Sequence, residues 1–216
     1  MFRFFVQKRV GNHFDLDPQT LAHIKVVRIG SRPFICVWQG QFFETKLDGR
    51  RALIIREIAL NHEFARPVKL AAAVLKPKNF AWLVQKAAEL GVSQLWPLTS
   101  DYVQHRPERH ERLVKIANGA SQQAFRNYPL QVHSPTSFKE ALQISAAHKY
   151  ILDEKLPQPI KTSFEQDSLF LVGPEGGWSE KELELAKASG FERVYLGPRI
   201  MRAETASLFV LARVKI

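Results

Sequence analysis

The spacing of apolar residues divides the chain near Arg66-Pro67. Before that break, Phe2 to Gln7, Phe34 to Trp38, Gln41 to Leu47 and Ala52 to Ile58 are short runs rich in aromatic and β-branched residues, with Gln39-Gly40 and Asp48-Gly49 as turn signals. Such runs read as strands joined in hairpins. Leu21, Ile24 and Val27 recur at helical spacing, so residues 1–66 are expected to form a small β-barrel domain with one helix.

After the break, strand and helix patterns alternate. Leu70 to Leu75, Tyr150 to Leu152, Leu169 to Val172 and Val194 to Leu196 are continuous apolar runs, the pattern of strands buried on both faces, and Val92 to Leu98 reads as a further strand. Asn79 is expected to cap a helix that buries Phe80, Leu83, Val84 and Ala87 and ends at Gly91. Pro107 is expected to open a basic helix running to about Phe125. Ser137 with Glu140, and Ser179 with Glu182, have the spacing of capping boxes. From Thr205 to about Val214 the pattern is apolar nearly all round, a helix that wants burial in the core or against a second subunit. Residues 67–216 therefore read as an α/β domain, a parallel sheet covered by helices.

Two glycine-bearing corners punctuate the last third, Val172-Gly173-Pro174-Glu175-Gly176-Gly177 and Leu196-Gly197-Pro198-Arg199-Ile200-Met201-Arg202-Ala203-Glu204-Thr205-Ala206. Each follows an apolar run and leads into a helical pattern, and the ends of parallel strands are where open α/β sheets hold ligands. Glycine without a side chain and proline with a fixed φ let backbone groups approach such a ligand.

Composition narrows the partners. Of 216 residues, 45% are hydrophobic, enough for a sizeable core, and 31 Lys and Arg against 21 Asp and Glu leave a formal charge of +10. That excess favours a polyanion, nucleic acid first, through phosphate contacts and counterion release. Cys36 is the single cysteine, which excludes an internal disulfide and a cysteine-based zinc site. Met1 to Arg9 is too short and too basic for a signal peptide, and no apolar run approaches the ~18 residues of a membrane span, so a cytoplasmic protein is expected.

The sequence lacks G-x-x-x-x-G-K-[ST], G-x-G-x-x-G after a first strand, H-E-x-x-H and G-x-S-x-G, which argues against a P-loop, a standard dinucleotide fold and the common hydrolase designs. His105 and His110 are poorly spaced for two ligands on one helical face, and no metal site is expected. Cations gather in two places. Arg3, Lys8 and Arg9 interleave with Phe2, Phe4 and Phe5, rings that read either as base-stacking surfaces or as barrel core. His105, Arg106, Arg109, His110, Arg112 and Lys115 lie around the start of the long helix, with Arg126 at its end, either a phosphate-facing surface or a solvated face.

The two corners resemble the signature of the RsmE family of 16S ribosomal RNA uracil-N3 methyltransferases, and weaker matches at Arg3-Phe4-Phe5, His23, Val27-Arg28, Lys76 and Gln85 to Val92 extend the resemblance over nearly the whole chain. It implies a PUA-like β-barrel for RNA over 1–66 and a SPOUT methyltransferase domain with a trefoil knot over 67–216, an exception to the rule against threaded chains. It also implies a homodimer and a bent S-adenosyl-L-methionine bound in the knot. The cofactor would lie between Leu152, the loop of Val172, Gly173, Pro174, Glu175 and Gly176, and the loop of Leu196, Gly197, Ile200, Met201, Thr205 and Ala206. Arg199 or Arg202 would stabilise charge developing on the uracil oxygen, and Glu204 or Glu175 would orient these groups or take the proton. The expected RNA contacts are Arg3, Arg9, Arg28, Lys76, Lys86, Arg106, Arg109 and Arg126 of a chain acting on 16S rRNA in the small ribosomal subunit. Met201, Ala203 and Ala120-Ser121-Gln122-Gln123 depart from that pattern, the family having Leu, Thr and Glu-Gln-Ser there. The competing readings are a ribosome-assembly protein that binds RNA without catalysis, and a methyltransferase of the same superfamily acting on another RNA.

Overall fold

A computed structural model describes residues 2–155 and 161–215. By internal contacts the chain forms two compact units, Met1–Glu63 with Ser121–Pro129, and Phe64–Ala120 with Leu130–Ile216.

The first unit is a curled six-stranded sheet around one helix. In chain order its elements are β1 (Arg3–Phe5), β2 (Lys8–Val10), β3 (His13–Asp15), α1 (Pro18–Val26), β4 (Phe34–Trp38), β5 (Gln41–Asp48) and β6 (Arg51–Ile58). The sheet order is β1-β4-β5-β6-β3-β2, antiparallel except for the β1-β4 pair, with β1 and β2 at its two ends. Trp38 pairs with Gln41 and Asp48 with Arg51, which makes both anticipated hairpins two-residue loops. A third, unanticipated hairpin, β2-β3 turning at Gly11-Asn12, follows the anticipated run from Phe2 to Gln7, of which Arg3–Phe5 alone is strand. Phe4, Phe14, Phe34 and Phe43 pack its core with Ile24 of α1, so Phe4 is core and not a base-stacking surface. Asp17 caps α1 through Gln19 N and Thr20 N. Burial pushes that carboxyl up, but the hydrogen bonds from Thr20 and Gln19 outweigh it and hold it below its ordinary value.

Residues 121–129 are stitched into this unit. Arg126 grips Glu63 through Nε at 2.8 Å and Nη2 at 2.6 Å, and Asn127 donates to the carbonyls of Gly40 and Leu60 while accepting from His62 N.

The second unit contains β7 (Val68–Ala73), α2 (Pro77–Glu89), β8 (Gln94–Thr99), α3 (His110–Gln123) as far as Ala120, β9 (Gln131–Val132), β10 (Thr136–Ser137), α4 (Phe138–Ala141), β11 (His148–Leu152), β12 (Ser168–Val172), α5 (Glu180–Ala188), β13 (Glu192–Val194) and α6 (Ala203–Leu211). All its strand pairs are parallel, in the order β10-β8-β7-β12-β11-β13, with β9 beside β8. Alternate residues serve opposite faces: Leu70, Phe170 and Val172 meet α2, α3 and α6, whereas Ala71, Leu169 and Leu171 meet α4 and α5. Burial on both sides explains why these strands read as unbroken apolar runs.

Several boundaries differ from the expectation. The last strand is Glu192–Val194, not Val194 to Leu196, because its register with β11 ends at Leu152–Val194 and leaves Leu196 in the following loop. Helix α2 starts at Pro77 with Lys76 as its N-cap, since proline at the first helical position has no N–H to satisfy; Asn79 is inside the first turn. Helix α3 starts at His110, where Leu113 N first reaches the Arg109 carbonyl, so Pro107 lies ahead of it. Helix α6 begins at Ala203 and ends at Leu211. Both capping boxes form, on α4 and on α5.

Candidate active site

Parallel strands deliver their C-terminal ends to one edge of the sheet, and three adjacent ones, β12, β11 and β13, each leave that edge in a loop. The three loops close around one cavity of about 230 Å³. Leu152, Asp153, Glu154 and Lys155 come from the first loop, and Val172, Gly173, Pro174, Glu175, Gly177 and Trp178 from the second. The third contributes Leu196, Gly197, Arg199, Ile200, Met201 and Arg202, and the first turns of α6 close the wall with Ala203 and Ala206.

Buried polar bonds hold the loops to one another. Trp178 Nε1 donates to the Leu152 carbonyl at 2.8 Å, pinning the second loop to the end of β11. Gly173 makes room for that indole, because a Cβ there would lie 3.0 Å from Trp178 Cε2. Asp153 extends the β11-β13 ladder through its N–H to the Val194 carbonyl at 3.0 Å, and its buried carboxylate accepts from Arg193 Nε at 2.8 Å. Glu204, half-buried in the first turn of α6, accepts from Asn79 Nδ2 at 3.0 Å. The cap that sequence assigned to Asn79 is thus replaced by a link between α2 and α6.

Of the residues anticipated for a cofactor, Leu152, Val172, Gly173, Pro174, Glu175, Leu196, Gly197, Ile200, Met201 and Ala206 line the cavity, as do Arg199 and Arg202. Gly176, Thr205 and Glu204 are not on its wall: Gly176 faces Tyr102, Thr205 is exposed, and Glu204 is turned to Asn79. Asp153, Lys155 and Trp178 were missed; the polar residue directly after the Tyr150 to Leu152 run and the tryptophan closing the Gly-Pro-Glu-Gly-Gly corner were the available signals. The wall combines apolar side chains suited to a flat ring, glycines that expose backbone, and the exposed carboxylates of Glu154 and Glu175, suited to a cation.

The anticipated RNA contacts divide by environment. Arg9, Arg28, Lys76, Arg106 and Arg109 are exposed. Arg3 lies 3.2 Å from the Phe125 ring centroid and donates to the Gln123 carbonyl, and burial lowers its pKa below the ordinary guanidinium value. Lys86 is paired with Glu89 at 2.8 Å. Arg126 is 3% exposed and bonded to Glu63, so its cation is committed to the first unit and it is withdrawn as a phosphate contact. Burial pushes the Cys36 thiol up to about 12, which removes it as a nucleophile. Among the described residues no group of three His, Cys, Asp or Glu could hold a metal ion, and no helix is long and apolar enough to cross a membrane.

The second unit is a parallel α/β domain whose strand-end loops form a cavity with exposed arginines on its wall, and the model of the RNA methyltransferase domain matches residues 62–215, which makes the class that of RNA-modifying enzymes. The chain belongs to that family, and within it to the ribosomal RNA small subunit methyltransferases E. The enzyme of that name from Mesomycoplasma hyopneumoniae (strain 232) is 36% identical, over 99% of this chain and 98% of its own. That from Rickettsia conorii (strain ATCC VR-613 / Malish 7) is 30% identical, over 99% and 95%. The crystal structure of the Neisseria gonorrhoeae enzyme bound to S-adenosyl methionine has a TM-score of 0.87 and 27% identity, covering 98% of this chain and 95% of that one.

Proposed function

We propose that this chain transfers the methyl group of S-adenosyl-L-methionine to N3 of a uridine in 16S ribosomal RNA of the small subunit. The observation that carries the reading is the convergence of the loops after β11, β12 and β13 on one cavity, with both glycine-proline corners in its wall. The bound sulfonium supplies an electrophilic methyl. The chain's own residues hold and align the reactants: Leu152, Val172, Leu196 and Met201 offer apolar surface to the adenine ring, and backbone at Gly173 and Gly197 approaches closely.

Uracil N3 attacks only as its proton leaves, and negative charge spreads to the ring oxygens as the bond from N3 to the methyl carbon forms and the bond from sulfur to that carbon breaks. Arg199 and Arg202, both exposed on the cavity wall, stabilise that charge. Glu175, on the same wall, takes the N3 proton. Glu204, held by Asn79, fixes the start of α6 and its N-terminal dipole beside Arg202. The exposed arginines and lysines of both units bind RNA phosphate. The trefoil knot belongs to the same reading. So does a homodimer built on α6, whose Leu208 and Phe209 are only half-buried. An RNA substrate of this kind puts the protein in the cytoplasm.

Incubation with methyl-labelled S-adenosyl-L-methionine and unmodified small subunits, followed by nucleoside mass spectrometry, is expected to give labelled 3-methyluridine. Label on another atom or another RNA would overturn the reading. Failure to bind the methyl donor in calorimetry would leave a protein that binds RNA without catalysis. Light scattering on the purified chain checks the dimer.

A further inference from the structure

We propose that Tyr102 is a rigid platform on which an unpaired base of the RNA substrate stacks at the mouth of the cavity. This rests on the methyl-transfer reading above and adds a substrate contact that the two signature corners do not contain.

Tyr102 follows β8 in a short turn closed by Val103 N and the Ser100 carbonyl. Its neighbour Asp101 is clamped twice to the start of α5: the backbone N–H donates to Glu182 Oε1 at 3.0 Å, and the carboxylate accepts from Ser179 Oγ at 2.7 Å. Glu182 is itself buried and completes the α5 capping box, so the clamp is anchored in a fixed element. The tyrosine then lies against Gly176. A Cβ at that position would be 3.0 Å from Tyr102 Cβ and 3.4 Å from Cγ, so glycine lets the side chain seat there without displacement. Gly176 stands between Glu175 and Gly177, two residues of the cavity wall, so the side chain packs against the same loop that forms that wall.

Held in this way, the side chain is still 49% exposed, and its hydroxyl has no hydrogen-bond partner among the described residues. Further along the same segment Arg106 and Arg109 are exposed and without a carboxylate partner among the described residues. A fixed aromatic face followed by unpaired cations is the arrangement that binds single-stranded nucleic acid, the ring taking the base and the cations the phosphates. The reaction creates the need. N3 lies on the pairing edge of uracil, so the target must leave any stack before a methyl group can reach it. The extruded uracil, or the base next to it, then requires a new π surface close to the cavity.

The test uses the full chain with Tyr102→Ala, Tyr102→Phe and Tyr102→Trp, each checked for an unchanged thermal midpoint and unchanged S-adenosyl-L-methionine affinity by calorimetry. The alanine variant should bind a 16S rRNA transcript about 5- to 150-fold more weakly, the fold-change equivalent of about 1–3 kcal/mol for one stacked base. The phenylalanine and tryptophan variants should stay within about twofold of wild type, and fluorescence of Y102W should be quenched by the transcript. Transcript carrying 4-thiouridine should cross-link under ultraviolet light to the peptide containing Tyr102. Unaltered RNA affinity in Y102A, or equal losses in Y102A and Y102F, would overturn the proposal. A wild-type chain that binds RNA with this Tyr102 dependence but forms no 3-methyluridine would support the platform and sink the proposed reaction instead.

Discussion

One added carbon at Gly173 would stand 3.0 Å from the Trp178 ring, in a place where the indole is already fixed by its bond to the Leu152 carbonyl. The ring would have to shift by a few tenths of an ångström against that bond. Gly173→Ala is therefore expected to cost about 1–3 kcal/mol by overpacking, and to weaken binding of the methyl donor because the same ring forms the cavity wall. Denaturant titration and calorimetry on one preparation read both losses; a variant that loses neither would show that the loop relaxes freely. Arg202 should behave differently. It is exposed and packs little, so Arg202→Ala should leave stability and donor affinity near wild type while single-turnover methyl transfer falls about 100-fold or more, the loss seen when a charge-stabilising donor is removed. A loss confined to donor affinity would reassign Arg202 to binding.

Elements were legible where one local signal decides them. Ser137-Glu140 and Ser179-Glu182 formed the capping boxes their spacing announced, because a cap involves only residues three apart. The buried strands were visible as apolar runs for an equally local reason. What could not be read was set by distant partners: β13 stops at Val194 because β11 stops at Leu152, and residues 121–129 join the first unit through Arg126, Asn127 and Glu63. The corners told where a ligand would sit, but not that Asp153, Lys155 and Trp178 share the wall, since the three loops meet only after the sheet is assembled. The β8-β9 edge holds another such meeting, His133 stacked on Trp96 with centroids 4.1 Å apart and Nε2 buried without a hydrogen-bond partner among the described residues. Burial first, and the charge of His110 second, lower the His133 pKa below its ordinary value. The unfolded chain then binds a proton more readily than the folded one. Stability from this site is complete above the ordinary histidine pKa of about 6.5 and is lost as pH falls through the lower folded value. Denaturant midpoints measured downward from pH 8 should decline in that window, and His133→Phe, which keeps a ring on Trp96, should flatten the decline; an unchanged slope would assign it to other groups.

At the scale of the whole molecule the formal charge of +10 is an inventory, and the fold decides which cations are available to RNA. Arg126 is held in the first unit by Glu63, with both Nε and Nη2 engaged and 3% exposure, whereas Arg106 and Arg109 stand exposed in the second unit. The two kinds of arginine should separate cleanly in experiment. Arg126→Ala leaves the Glu63 carboxylate with backbone N–H donors but without its cationic partner, and should destabilise the chain by about 3–5 kcal/mol, the cost of breaking a buried pair from one side. Its RNA affinity, measured where the variant is still folded, should keep the salt dependence of wild type. Arg106→Ala and Arg109→Ala should do the reverse, leaving the denaturant midpoint in place while each lowers the slope of log affinity against log salt by about 0.7–0.9, one phosphate contact's worth of released counterions. Fluorescence anisotropy against a 16S rRNA transcript over a range of salt concentrations gives the slopes. If Arg126→Ala flattened the slope as much as Arg109→Ala does, the buried pair would have to open on RNA and the division between structural and binding cations would fail.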